Sequence, residues 1–436
     1  MSELLRLRED CRNSKGRGIY SVCSAHPIVL RAALEQGLHD GTPILIEATC
    51  NQVDQFGGYT GMTPAAFVAF VRALADEAGF PVERLILGGD HLGPNPWRGE
   101  PAAVAMQKAE DLVAAYVRAG FHKIHLDASM RCGDDPLVLP DTLIAERAAR
   151  LCRRAELTFS QHPDGPGPVY VIGTEVPPPG GSVEEHAGPR PTPAVDVART
   201  LEISEAAFKE LGLDSAWERV IALVVQPGVE FGDATVHDYE RELATPLAQA
   251  IATEPPWMYE AHSTDYQTPE ALRHLVEDRF AILKVGPWLT FALREALFAL
   301  EAIARELPGR DISRARPRVA DALEAAMLKD PAHWESHYHG SAGEQAFSRR
   351  FSLSDRSRYY WGDPAVRVEV QRLFEATAGP LPLELLSQYR PHEYDAVRAG
   401  DLAPTGRAVA LHAVRRVLGH YASACGNPAP AQEGLP

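Results

Sequence analysis

Short apolar or β-branched runs recur along the chain, each followed by polar or turn residues and then by a stretch with helical spacing of apolar positions. Eight such runs stand out: "GIYSVCSA" from Gly18, "PILIEAT" from Pro43, "LILGGDH" from Leu85, "KIHLDAS" from Lys123, "YVIGTEV" from Tyr170, "VIALVVQPG" from Val220, "WMYEAHS" from Trp257 and "FAILKVG" from Phe280. Near-continuous apolar runs of this length are what strands covered on both faces look like. Between them, "TPAAFVAFVRALADEAGF" carries Thr63 as a helix N-cap, Pro64 at the first helical position and Gly79 at the stop. "AVAMQKAEDLVAAYVRAGF" and "LTFALREALFALEAIARELPG" follow the same pattern. Strands alternating with helices predict an α/β fold, a TIM (β/α)8 barrel, with its elements between about residues 18 and 309 of a barrel domain spanning 1–309. The stretch "PPPGGSVEEHAGPRPTPA" after the fifth run reads equally as a flexible linker and as a lid over a site. From residue 310 to 436 the pattern turns helical without strands, which predicts a helical extension packed on the barrel. Its final "NPAPAQEGLP" is expected to be disordered.

Composition narrows the class. With 45% hydrophobic and 23% charged residues the chain is an ordinary globular protein able to bury a large core. No apolar run reaches the roughly 20 residues of a membrane span. The charged start "MSELLRLREDCRNSKGRG" has no apolar signal region, so a cytoplasmic location is expected. Six cysteines without CxxC spacing point to reduced thiols. A net charge of −16 repels a phosphate backbone and makes nucleic acid an unsuitable partner.

In a barrel of this type chemistry collects at the carboxyl ends of the strands. The predicted strands end in Glu47 with Asn51 and Gln52 beyond, Asp90-His91, His125 and Asp127, Glu175, Gln226, Glu260 and His262 with Asp265 after, and Lys284. Each has a structural reading as well. Asp90-His91 can be a capping pair, Lys284 can close a salt bridge with Glu47, and His125 and Asp127, two apart on one face, can form a satisfied polar layer. Four strands contributing together favour a shared site. Imidazoles with carboxylate or amide oxygens suit a divalent ion such as zinc or manganese, which stabilises an enediolate formed from a ketose. His91 and His262 are then the ligands, and Asp90, Asp127 and Glu175 are available as acid or base. Glu47, Asn51, Gln52, His125, Asp265 and Lys284 complete the set as substrate-binding candidates.

With these residues in hand, the sequence resembles the accessory, so-called non-catalytic subunits of D-tagatose-bisphosphate aldolase, the GatZ/KbaZ family. The resemblance rests on "SVCSAHP", "IEATCNQVDQFGGYTGMTP", "LGGDHLGPN", "AGFHKIHLDASM", "VIGTEVPPPGG", "VVQPGVEF", "YEAHSTDYQT", "AILKVGPWLTFALREALFAL" and "FSLSDRSRYYW", in that order along nearly the whole chain. It implies a barrel related to class II, metal-dependent aldolases, a role in galactitol or amino-galactose breakdown, and a separate catalytic aldolase chain as partner. Assembly with further copies of itself stays open. Against the catalytic aldolases, Asp90-His91 is similar to their acid and zinc ligand, Asp127 in "LDAS" to their aspartate, Glu175 to their glutamate and His262 in "EAHS" to their last ligand. Gln226 in "VVQPG" stands where they place another histidine, a change that favours harder ions such as manganese. "HSTDYQT" lacks the glycines of their phosphate loop, which puts bisphosphate binding in doubt. Members resembling this family have been assigned tagatose/fructose 4-epimerase activity, so the resemblance also implies, as the alternative, a divalent-metal-dependent ketohexose epimerase working by retro-aldol chemistry. No GxxxxGK[ST] nucleotide loop is present.

Overall fold

The structure, a computed structural model, describes residues 2–13, 16–163, 165–173, 188–252, 257–307 and 316–426. Each of the eight apolar runs forms a parallel strand: β1 (Ile19–Val22), β2 (Ile44–Thr49), β3 (Leu85–Leu92), β4 (Lys123–Leu126), β5 (Val169–Gly173), β6 (Val220–Val224), β7 (Met258–Ala261) and β8 (Phe280–Val285). β1 pairs with both β2 and β8, so the sheet closes into a barrel without free edges. The helices between them start and stop where the sequence signals say. Thr63 accepts the Ala66 amide at 3.4 Å ahead of helix Pro64–Ala78, and Gly79 ends it in the left-handed conformation. A short antiparallel hairpin, Glu230–Phe231 with Val236–His237, is inserted between β6 and β7.

The barrel interior divides into two halves with different chemistry. Toward the amino ends of the strands it is apolar, with Leu45, Val169, Ile221, Met258 and Ile282 packed together. Leu4, Leu7 and Cys11 of a helix at Glu3–Arg12 join that cluster and close this end of the barrel. Arg8 of the same helix donates to the carbonyls of Glu218 and Val220 at 2.9 and 3.2 Å. Toward the carboxyl ends the interior is charged, as described below.

After residue 316 the described chain is helical, and its last helix, Gly406–Ala424, returns into the shell of the barrel. It packs against helices Pro27–Asp40, Pro269–Glu277 and Pro287–Glu306. Cys425 accepts the Gly18 amide at 3.1 Å just ahead of β1, and the Tyr421 hydroxyl donates to Thr264 beyond β7 at 2.7 Å. A fully buried ion pair, Arg294 to Asp355 at 2.6 Å, ties the extension to the helix after β8. The expected disorder of residues 427–436 lies outside the described residues.

One buried carboxylate in the extension gives a pH-dependent test. Glu393 accepts from Arg390 Nε at 2.8 Å and lies 3.0 Å from His412 Nδ1. Burial pushes its carboxyl up, but His412 and Arg390 outweigh this and bring it down to about 2, from an ordinary 4.5. A depressed carboxylate stabilises the fold fully above its unfolded value, and this contribution is lost as pH falls from about 4.5 through about 2. Glu393→Gln is expected to cost roughly 2–4 kcal/mol at pH 7. In denaturant titrations the gap between variant and parent narrows below pH 4.5 and stays constant above it.

Candidate functional site

The stretch "LGGDHLGPN" forms the end of β3, and its glycines are steric necessities. A Cβ on Gly88 would lie 2.8 Å from Glu47 Cγ, and one on Gly93 only 1.6 Å from the Asp127 carbonyl oxygen. Between them the pairing of β3 with β4 shifts register from Gly89 to Leu92, and His91 takes a positive φ of 49°. That conformation is uncommon outside glycine and is found at sites where a side chain must be re-aimed.

Asp90, His91, His125 and His262 converge: one ligand atom from each lies within 4.8 Å of all the others. The His91 ring stands 4.8 Å from that of His125 and 4.7 Å from that of His262. Each ring is held through one nitrogen by an oxygen outside the group. His91 Nδ1 lies 2.8 Å from Asp127 Oδ2, His262 Nε2 3.0 Å from Glu260 Oε1, and His125 Nε2 2.9 Å from the Gly173 carbonyl. This is how imidazoles that ligate metals are oriented. With an Nε2 proton directed at the Gly173 carbonyl, His125 presents Nδ1 as an acceptor, and the His91 amide donates to it at 3.3 Å. That nitrogen also faces Asp90 Oδ1 at 3.2 Å, about the separation of two donors sharing one zinc-sized ion. The donor set, three imidazoles and a carboxylate, therefore fits a divalent transition ion.

Beneath this group lies a buried ion network. Lys123 Nζ is 2.7 Å from both Glu47 Oε1 and Glu260 Oε2. Lys284 Nζ is 2.6 Å from Glu47 Oε2, 2.7 Å from Asp90 Oδ1 and 3.7 Å from Glu260 Oε1. Glu47, Lys123 and Glu260 are all fully buried. Burial alone would push the Asp90 carboxyl up, yet Lys284 and His91 hold it well below the usual range. Glu260 is likewise held well below, burial being outweighed by Lys123 and Lys284. Burial disfavours the Lys284 ammonium, but Asp90, with Glu47 and Glu260, raises it well above its ordinary value. Asp127 is kept ionised against burial by His91 and by Ser129, whose hydroxyl donates at 2.6 Å. His91 is raised, burial being overcome by Asp90 and Asp127, whereas burial brings His262 down to about 3 and keeps it neutral at physiological pH.

The sequence-based expectations therefore separate. Asp90 is no capping residue, because its carboxylate faces Lys284 and His125. His125, expected on the substrate side, stands among the would-be ligands. The salt-bridge reading of Glu47 and Lys284 describes what is found. Asn51 is exposed in the turn after β2. Gln52 is buried, and its Oε1 accepts the Thr49 amide at 3.0 Å. Gln226, expected as a ligand, has its Oε1 accepting the Gly228 and Val229 amides at 2.8 and 3.1 Å, which closes its own turn. Asp265 Oδ1 accepts the Gly286 and Trp288 amides at 3.0 and 2.8 Å, capping the helix after β8. Burial pushes the Asp265 carboxyl up to about 6, against those two amides. Glu175 and the whole segment 174–187, including most of the possible lid, lie outside the described residues. Sequence reasoning did not single out Lys123. Its two-residue spacing from His125 was the available signal, since both then point into the barrel.

The sequence pattern of D-tagatose-1,6-bisphosphate aldolase subunit GatZ/KbaZ-like proteins matches residues 4–426. The chain belongs to this family. A GatZ/KbaZ-like chain is accordingly a tagatose-bisphosphate-aldolase-type subunit built on a barrel. A solved structure described as that of a probable tagatose 6 phosphate kinase from Sinorhizobium meliloti 1021 is 49% identical, with a TM-score of 0.86 over 94% of this chain and 100% of that one. A fructose-bisphosphate aldolase from Campylobacter jejuni, 13% identical with a TM-score of 0.44 over 85% of this chain and 92% of that one, is too distant to bear on the chemistry. Among the described residues no helix is long and apolar enough to cross a membrane.

Proposed function

We propose that this GatZ/KbaZ-like chain is an accessory subunit that raises the activity and stability of a separate catalytic tagatose-bisphosphate aldolase chain, in galactitol or amino-galactose catabolism. We further propose that it holds a divalent ion, zinc or manganese, through Asp90, His91, His125 and His262. The convergence of those four side chains carries the second part; the family match supports the first. All six cysteines are free thiols, which supports a reducing, cytoplasmic setting. The kinase activity named for the Sinorhizobium meliloti protein is not carried over, because this sequence has no GxxxxGK[ST] loop.

One observation keeps the epimerase as a second reading: two ionised carboxylates, Asp90 and Asp127, border the imidazoles. A bound divalent ion supplies Lewis-acid polarisation of a carbonyl oxygen. An ionised carboxylate such as Asp127 takes the proton of the C4 hydroxyl. The O–H electron pair forms the C4 carbonyl, and the C3–C4 pair passes into a C2–C3 enediolate. The aldehyde rotates, and the same bond re-forms on its other face as the carboxylate returns the proton.

Mixing the purified chain with a catalytic aldolase subunit decides between the readings. The accessory role predicts faster cleavage of tagatose bisphosphate and a higher thermal midpoint for the mixture than for the catalytic chain alone. Conversion of tagatose to fructose by the lone chain with manganese or zinc, abolished by chelator and in Glu175→Gln, would establish the epimerase instead.

A further inference from the structure

The described loop after β7 provides no glycine-rich cradle for a phosphate, but the C-terminal extension brings a cation to the same mouth of the barrel. A cavity of about 1090 Å³ lies between the carboxyl ends of β1, β2 and β8 and the segment "FSLSDRSRYYW". Cys23 lines it on the barrel side, and the Cys23 thiol is 3.9 Å from Asp90 Oδ2, so the cavity abuts the acid–imidazole group. Arg358 lines it on the other side.

Arg358 has no carboxylate partner among the described residues. Its Nη1 donates to the main-chain carbonyls of Ser354 and Asp355, and its Nη2 to the Tyr359 hydroxyl at 2.9 Å. The guanidinium also stacks over the Tyr359 ring, 4.5 Å from its centroid, which fixes its plane. The nearest acid in sequence, Asp355, is committed to Arg294, Thr290 and Ser357. Other acids on the cavity wall are likewise engaged: Glu35 with Arg31 at 2.7 Å, Asp330 with the Ala332 amide and Asp363 with the Ala365 amide. Only Glu77, exposed at the rim, has no such contact among the described residues, and Lys329, Arg367 and Arg407 share that wall. Helix Pro27–Asp40 also begins at this space, but Pro27 has no N–H and the Ile28 amide is taken by His26 Nδ1 at 3.2 Å, so the cation and not the helix end is what faces a ligand. Asp355 and Asp265 lie within electrostatic range of Arg358 but make no direct ion pair with it among the described residues, so in a chain of net charge −16 its remaining N–H donors face the cavity as the groups best suited to an anion.

We propose that Arg358 binds the phosphate of a phosphorylated ketose whose carbonyl end lies at the Asp90–His91–His125–His262 group. This deepens the functional reading above and rests on it for the placement of the sugar. The phosphate site itself is testable without that reading.

Isothermal titration calorimetry on the full chain uses inorganic phosphate, fructose 6-phosphate and fructose as probes. Wild type is expected to bind phosphate and fructose 6-phosphate, and Arg358→Met to weaken both by about tenfold or more, the loss of a bidentate charge-assisted contact, with fructose unaffected. Arg358→Lys, which keeps the charge and loses the planar fork, is expected to weaken phosphate about threefold or more, and it serves as the test if the methionine variant does not fold. Absence of phosphate binding by wild type, or equal affinity in a folded Arg358 variant, overturns the proposal. Metal content and aldolase activation, measured separately, would fail on their own if the functional reading were wrong, leaving the phosphate titration unchanged.

Discussion

Lys123→Met is expected to destabilise the fold by about 3–5 kcal/mol, among the largest losses for any single substitution of comparable volume here. The Lys123 ammonium is fully buried and balances Glu47 and Glu260, each 2.7 Å away and equally buried. Without it, two buried carboxylates share the Lys284 ammonium with Asp90. Burying an uncompensated charge costs more than the ion pair itself contributes, so the loss arises from what is left behind. The double variant Lys123→Met with Glu260→Gln removes one charge of each sign and is expected to recover part of the loss. Thermal and urea unfolding of the three proteins measure this. A cost below about 1 kcal/mol for Lys123→Met would mean that the network is not ionised as drawn.

The second large effect is on metal content. Wild type is expected to hold one divalent ion per chain, and His91→Ala or His262→Ala to abolish stoichiometric binding. Asp127→Asn, which meets the would-be ligands through the outer nitrogen of His91 and is otherwise held by Ser129, is expected to weaken affinity roughly 10–100-fold. Binding should also decline as pH falls through the range where His91 protonates, a range shifted upward because Asp90 and Asp127 favour its cation despite burial. Metal analysis after dialysis at pH 8, 7 and 6 reads all of these. Retention of the ion by both histidine variants would place it elsewhere.

The barrel was legible because strands covered on both faces must be apolar nearly throughout, and all eight runs carry that mark. The site was legible in outline for a related reason: Asp90, His91, His125 and His262 sit at the ends of such runs, where polar residues have no packing role. The distribution of roles was less so. Whether a side chain at a strand end faces the cluster or its own turn depends on local backbone geometry. Thus Gln226 folds back onto two amides, Asp265 caps a helix and Asn51 projects outward. The helix at Glu3–Arg12 was hidden because its apolar face is only Leu4, Leu7 and Cys11 within a charged stretch. Lys123 was hidden because a lysine beginning a strand ordinarily marks the solvent edge; here its long stem carries the ammonium into the barrel. The return of helix Gly406–Ala424 to the barrel shell, and with it the placement of the extension, depends on contacts between distant parts of the chain that no local pattern reports.

The most direct test is anomalous diffraction from crystals grown with manganese or zinc. The account predicts one strong peak per chain, roughly 2.0–2.2 Å from ring nitrogens of His91, His125 and His262 and from a carboxylate oxygen of Asp90. No peak at that position, with those four side chains placed as here, would contradict it.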